Sequence, residues 1–122
     1  MNDVSLISVV DDDESLRESL NGLLRILGYR VKLFSSAESF LNSQALAKTN
    51  CLILDVHLPG MSGPELQREL IGHRLQIPII FITASRDEDV FSRIMADGAV
   101  DCLFKPFSEA SLLNAISLAL AD

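Results

Sequence analysis

The stretch Cys51–Asp55 reads Cys-Leu-Ile-Leu-Asp and then breaks at His57-Leu58-Pro59-Gly60. A short apolar run bounded by a turn is a strand buried on both faces. Two more runs share this design. Leu6–Val10 (Leu-Ile-Ser-Val-Val) leads into Asp11-Asp12-Asp13-Glu14, and Pro78 opens Ile79–Thr83 (Ile-Ile-Phe-Ile-Thr), which ends on a hydroxyl. Strands of this kind need cover on both sides, and the rest of the chain supplies it as helices.

Leu16, Leu20, Leu23, Leu24 and Leu27 recur at helical spacing after the first run, with Asp13 as a candidate N-cap and Gly28 as the stop. Arg30–Phe34 alternates and carries charge, as an edge strand does. Ser35 or Ser36 opens a short helix bearing Ala37, Phe40, Leu41 and Ala45, and Asn50 precedes the central strand. Pro64 suits the first turn of a helix with Leu66, Leu70 and Ile71 on one side. Residues 86–97 form a helix striped by Val90, Phe91, Ile94 and Met95 and stopped by Gly98. Residues 99–104 are a fifth strand running into Lys105-Pro106. Ser108 caps a last helix with Leu112, Leu113, Ile116, Ala119 and Leu120. Strands alternating with helices require right-handed crossovers and a parallel sheet, an α/β fold with helices on both faces.

The 122 residues suffice for one domain, and no linker or repeat divides them. At 48% hydrophobic residues the chain is not a disordered segment. Its apolar runs fall far short of the ~20 residues of a membrane span. Met1-Asn2-Asp3-Val4 lacks the basic start of a signal peptide, so a cytoplasmic location is expected. A net charge of −7 argues against direct contact with nucleic acid and suits a site that gathers a divalent cation. Cys51 and Cys102 lie in apolar runs, as buried reduced thiols do.

In a parallel sheet the C-terminal strand ends share one rim, and that rim is where such folds place their chemistry. Here it gathers Asp11, Asp12, Asp55, Thr83 and Lys105. Clustered carboxylates repel one another and raise at least one pKa unless a cation intervenes. Oxygen donors favour Mg²⁺, which takes one or two carboxylates and leaves another free as a nucleophile. An aspartate can form an acyl phosphate, with a cation and a hydrogen-bond donor meeting the developing charge. Any one of these residues could serve an ordinary turn or cap, and Asp13 and Glu14 are best read as helix capping. The set of types on four separate strand ends is what carries the functional reading.

The motifs Val10-Asp11-Asp12-Asp13, 54–63 (Leu-Asp-Val-His-Leu-Pro-Gly-Met-Ser-Gly), Ile82-Thr83-Ala84 and Lys105-Pro106-Phe107 together resemble the receiver domain of two-component response regulators. The resemblance spans essentially all of residues 1–122. The wording around Gly98 and Lys105 most resembles the FixJ branch, whose receivers usually precede a LuxR-type helix-turn-helix domain. The resemblance implies a flavodoxin-like doubly wound sheet of order 2-1-3-4-5, with Asp55 as phosphoacceptor. It implies that Asp12, Asp55 and the His57 backbone carbonyl ligate Mg²⁺ (Mn²⁺ or Ca²⁺ substituting) and that Asp11 acts through water. Thr83 and Lys105 would contact the phosphoryl group, and the Lys105-Pro106 bond would be cis. The implied partners are a sensor histidine kinase, a second copy met through the fourth helix, fifth strand and fifth helix, and a C-terminal DNA-binding domain absent from this chain. No enzymatic turnover is implied beyond self-phosphorylation and self-dephosphorylation.

One position departs from the family. Its switch pairs the Thr83 position with an aromatic residue three before the lysine, and here that residue is Cys102. Phe104 is nearby, on the same strand face as Cys102. Switching is therefore expected to rely on Thr83 and on movement of the following loop and helix. His57 is either a plain loop imidazole or an influence on acyl-phosphate lifetime, and His73 is surface. Three other functions fit less well. A haloacid-dehalogenase-type phosphatase needs Asp-x-Asp after an early strand and a cap domain. An FMN-binding flavodoxin needs a hydroxyl- and Gly-rich loop where this chain has Asp11-Asp12-Asp13. A phosphorylation-independent interaction module would not need the acidic set, although Cys102 is compatible with it.

Overall fold

The structure, a computed structural model, describes residues 4–121. The reading of the extreme N-terminus at Met1-Asn2-Asp3 lies outside these residues. Five strands, β1 (Leu6–Val10), β2 (Arg30–Phe34), β3 (Cys51–Asp55), β4 (Ile79–Thr83) and β5 (Asp101–Phe104), form one parallel sheet in the order β2-β1-β3-β4-β5. Every residue of β1, β3 and β4 is buried, whereas β2 alternates and lies at an edge. The double burial read from the apolar runs is thus a statement about position in the sheet.

Helices α1 (Glu14–Ile26) and α5 (Glu109–Leu120) cover one face. Helices α2 (Ala37–Leu41), α3 (Gly63–Gly72) and α4 (Glu88–Ala96) cover the other. Each begins where a side chain can satisfy the orphan amides of the first turn. Asp13 accepts from Leu16 N, Ser36 from Ser39 N, and Ser108 from Ser111 N. Ser62 and Glu65 form a reciprocal capping box, with Pro64 in the first turn of α3.

Several expected boundaries shift, each for a local reason. The helix expected over 86–97 starts at Glu88, because Asp87 accepts from Asp89 N at 3.0 Å and Val90 N at 3.2 Å. The strand expected over 99–104 starts at Asp101, because Ala99 N still closes α4 onto Ile94 O at 3.1 Å. The helix after Ser36 ends at Leu41, and Ala45 is buried from a separate 3₁₀ turn, Gln44–Ala47. Ile71, expected on the buried side of α3, is 53% exposed. Leu66 and Leu70 are buried as expected, Gln67 joins them in place of Ile71, and its amide reaches α4 to donate to Ile94 O at 3.0 Å. No described helix is long and apolar enough to cross a membrane.

Candidate functional site

The ends of β1, β3, β4 and β5 converge as the topology requires. One carboxylate oxygen each from Asp11, Asp12 and Asp55 lies within 4.8 Å of the others. Asp11 is fully buried, Asp55 nearly so, and Asp12 exposed. Lys105, which follows β5, donates from Nζ to Asp11 Oδ2 at 3.1 Å and to Asp55 Oδ2 at 3.2 Å. The second oxygens are held from the backbone: Asp13 N donates to Asp11 Oδ1 at 2.9 Å, and His57 N to Asp55 Oδ1 at 3.1 Å. Both carboxylates are therefore fixed in direction before any ligand arrives.

The electrostatics are unequal across this cluster. Burial, and after it the Asp11 charge, push the Asp55 carboxyl above its ordinary range, against the His57 amide and Lys105. For Lys105 burial acts downward, but the hydrogen bond to Asp11 and the charges of Asp55 and Asp11 outweigh it and hold the ammonium above its usual value. One cation thus serves two acids and leaves Asp55 short of compensation. An all-oxygen, under-neutralised donor set of this kind fits a hard divalent cation such as Mg²⁺.

Thr83 is buried at the end of β4, and its Oγ1 accepts from Ser85 N at 3.1 Å. Its carbonyl accepts from Lys105 N at 2.8 Å, which ties the strand ends carrying the hydroxyl and the ammonium together. The Lys105–Pro106 peptide is cis. The His57 side chain is exposed at the mouth. Cys102 is 7% exposed, and its thiol is pushed up to about 11 by burial and the Asp101 charge.

The roles of four supporting residues did not emerge from the sequence. Arg17 donates from α1 to the Asp11 carbonyl at 2.6 Å and fixes the loop that carries Asp12. Glu38 accepts from Met61 N at 2.9 Å and pins the loop after His57. Gly63 is required because a Cβ there would collide with the Asp55 carbonyl oxygen and stand 3.0 Å from Val56 Cα. Gln67 joins α3 to α4. The Arg17 and Glu38 contacts depend on how loops fold back, which residue type does not reveal. Gly63 stood at the end of the 54–63 motif, but glycine is common in any loop and does not by itself announce a close backbone approach.

A family model described as the response regulator receiver domain matches residues 7–117. The chain is 48% identical over 121 residues to the response regulator protein TmoT of Ectopseudomonas mendocina, covering 98% of this chain and 55% of that protein. It is 38% identical over 113 residues to the transcriptional regulatory protein FixJ of Rhizobium meliloti, covering 93% and 55%. Among solved structures it is similar to the response regulator StyR (TM-score 0.89, 44% identity, 97% and 60% covered) and to FixJ-N (TM-score 0.86, 37% identity, 98% and 95% covered). The chain spans about half the length of the curated relatives it matches. With the sheet order, the acidic rim and this similarity in agreement, the chain belongs to the response regulator receiver domain family.

Proposed function

We propose that Asp55 accepts a phosphoryl group from a sensor histidine kinase, and that the resulting change of surface controls a DNA-binding output domain elsewhere in the full protein. The observation that carries this is the bridging of Asp11 and Asp55 by one Lys105 ammonium beside a third carboxylate. An Asp55 oxygen attacks phosphorus as the bond from phosphorus to the kinase imidazole nitrogen breaks, and the electron pair leaves with that nitrogen. Lys105 then moves from its two carboxylates to a phosphoryl oxygen, and the Thr83 hydroxyl donates to another. Asp12, Asp55 and the His57 carbonyl would hold Mg²⁺ directly, with Asp11 acting through water. Bound there, the ion would neutralise charge on the phosphoryl oxygens.

The domain is a stoichiometric acceptor that loses its label by hydrolysis in place, not an enzyme acting on a separate substrate. Transcriptional control is supported by relatives named as transcriptional regulatory proteins. The net charge of −7 leaves DNA contact to another domain. A second copy would meet the surface of α4, β5 and α5, and the setting is cytoplasmic. The test is incubation with acetyl phosphate and Mg²⁺, read by intact-mass spectrometry. Label is expected in the parent and absent from Asp55→Asn or after chelation of the metal. Equal labelling of parent and variant, or none in either, overturns the proposal.

A further inference from the structure

Cys102 leaves the usual aromatic position of the switch without a ring, but the same strand face carries a ring one step closer to the site. Phe104 is the register partner of Thr83 across the β4–β5 pair. It also immediately precedes Lys105, whose N–H holds the Thr83 carbonyl at 2.8 Å. Phe104 is thus joined to both residues expected to grip a phosphoryl group, laterally to one and along the chain to the other.

Its ring is held from outside. The Arg86 guanidinium lies over it at 4.5 Å from the centroid, and Phe91 of α4 stacks on it at 6.1 Å with 25° between planes. Arg86 sits in the loop that leaves Thr83, and that loop is fastened by the 3.1 Å bond from Ser85 N to Thr83 Oγ1. Inside, a narrow crevice of about 10 Å³ is lined by Thr83, Val90, Phe91, Cys102 and Phe104, among others. The crevice is too small for a ring while Thr83 occupies its present place.

We infer that Phe104 is the aromatic relay of this chain, and that Arg86, stacked over its ring, is the latch that holds it in the resting state. The inference rests on the phosphoacceptor reading of Asp55. When the Thr83 side chain turns inward to donate to a phosphoryl oxygen, its Oγ1 is drawn away from the Ser85 amide that it now accepts from, and the loop bearing Arg86 moves. The guanidinium then leaves the ring, and Phe104 turns toward the space over Cys102 that Thr83 vacates. Phe91 loses its stacking partner, so the surface of α4 changes. Phe104 and Arg86 touch no reacting atom. They are positioning residues that carry the state of Thr83 to α4.

The test uses the protein labelled with 4-fluorophenylalanine and ¹⁹F NMR, with the Phe104 resonance identified by its loss in Phe104→Leu. Intact mass after acetyl phosphate and Mg²⁺ is read on the same samples. The parent is expected to acquire label and to shift its Phe104 resonance. Fluorinated but unphosphorylated Arg86→Ala is expected to show that resonance already displaced toward the phosphorylated position, and Arg86→Lys is expected to restore it in part. Label on Asp55 with an unmoved Phe104 resonance overturns the relay and leaves the acceptor function standing. A resonance unchanged by Arg86→Ala overturns the latch. Absence of label in the parent overturns the acceptor function and the relay with it.

Discussion

On one face of the sheet, α1 and α5 bury Leu20, Leu24, Leu112, Ala115, Ile116 and Ala119. On the other, α4 buries Ile94 alone among its described residues, with Val90 and Met95 half-covered, and a hydrogen bond from Gln67 secures its C-terminal turn. The face covered by α2, α3 and α4 is as well filled overall, through Phe40, Leu66 and Leu70, so the contrast lies between the deeply seated α1 and α5 and the lightly seated α4. Burial of apolar area is the main stabilising term, at roughly 25 cal/mol per Å². A helix with one buried side chain can move at small cost, while α1 and α5 cannot. The rim that holds Asp55 stands between them, and a change there is expected to move α4 before α1 or α5.

Truncating one buried residue in each layer is the hardest test of this contrast. Leu24 and Ile94 are both fully buried. Leu24→Ala is expected to cost about 3 kcal/mol, because its surroundings cannot close the cavity, and Ile94→Ala about 2 kcal/mol, because α4 can settle inward. Urea unfolding followed by circular dichroism gives both numbers, and equal costs would erase the distinction. Two glycines sharpen it at the next level. A Cβ at Gly63 collides with the backbone of Asp55, whereas one at Gly22 on α1 meets nothing within 4 Å. Gly63→Ala should cost about 2 kcal/mol and weaken Mg²⁺ binding, while Gly22→Ala should stabilise by about 0.8 kcal/mol. Calorimetric titration with Mg²⁺ beside the unfolding curves checks both, and a Gly63→Ala protein with parental metal affinity would detach α3 from the site.

At the rim the effect is smaller and opposite in sign. Burial and the Asp11 charge raise the Asp55 pKa, so ionised Asp55 opposes folding when no metal is bound. The native state then binds the proton more tightly than the unfolded chain. The opposing contribution is absent below the unfolded carboxylate value and grows as pH rises through the raised native one. Asp55→Asn should therefore raise Tm at neutral pH without Mg²⁺, by a margin that shrinks on acidification or on adding Mg²⁺ to both proteins. A lower Tm for Asp55→Asn would show that Lys105 more than compensates the acid. The two thiols give the smallest signal, one from each layer. Burial pushes Cys51, in the α1–α5 layer, up to about 12, and Cys102, in the α4 layer, stands at about 11. With an aromatic disulfide reagent at pH 8 both should react slowly, Cys102 first, because α4 opens before the core does. Matching rates would mean that both layers open together.

Much of this was legible in order along the chain. Asp13, Ser36 and Ser108 cap helices because capping is a contact over three residues, so local sequence contains both partners. The continuous apolar runs of β3 and β4 announced their burial because a central parallel strand has no solvent face. Ile71 misled because helical spacing defines a stripe but not its width, and the neighbour α4 set that width through Gln67. The grip of Arg86 and Phe91 on Phe104 had no signal, since its partners come from a loop, a helix and a strand.

The sequence alone determined the alternation of elements and the oxygen or nitrogen group at the end of each site-bearing strand, because periodicity and turn chemistry act within a few residues. Residue type and spacing did not say which of the adjacent Asp11 and Asp12 would be buried, although the family resemblance gave them different roles. Only the tertiary structure buried Asp11, left Asp12 open and set Lys105 between Asp11 and Asp55, across sequence separations of 94 and 50 residues. Such pairings follow from strand order and crossover hand, which the packing of the whole sheet decides and no local pattern records.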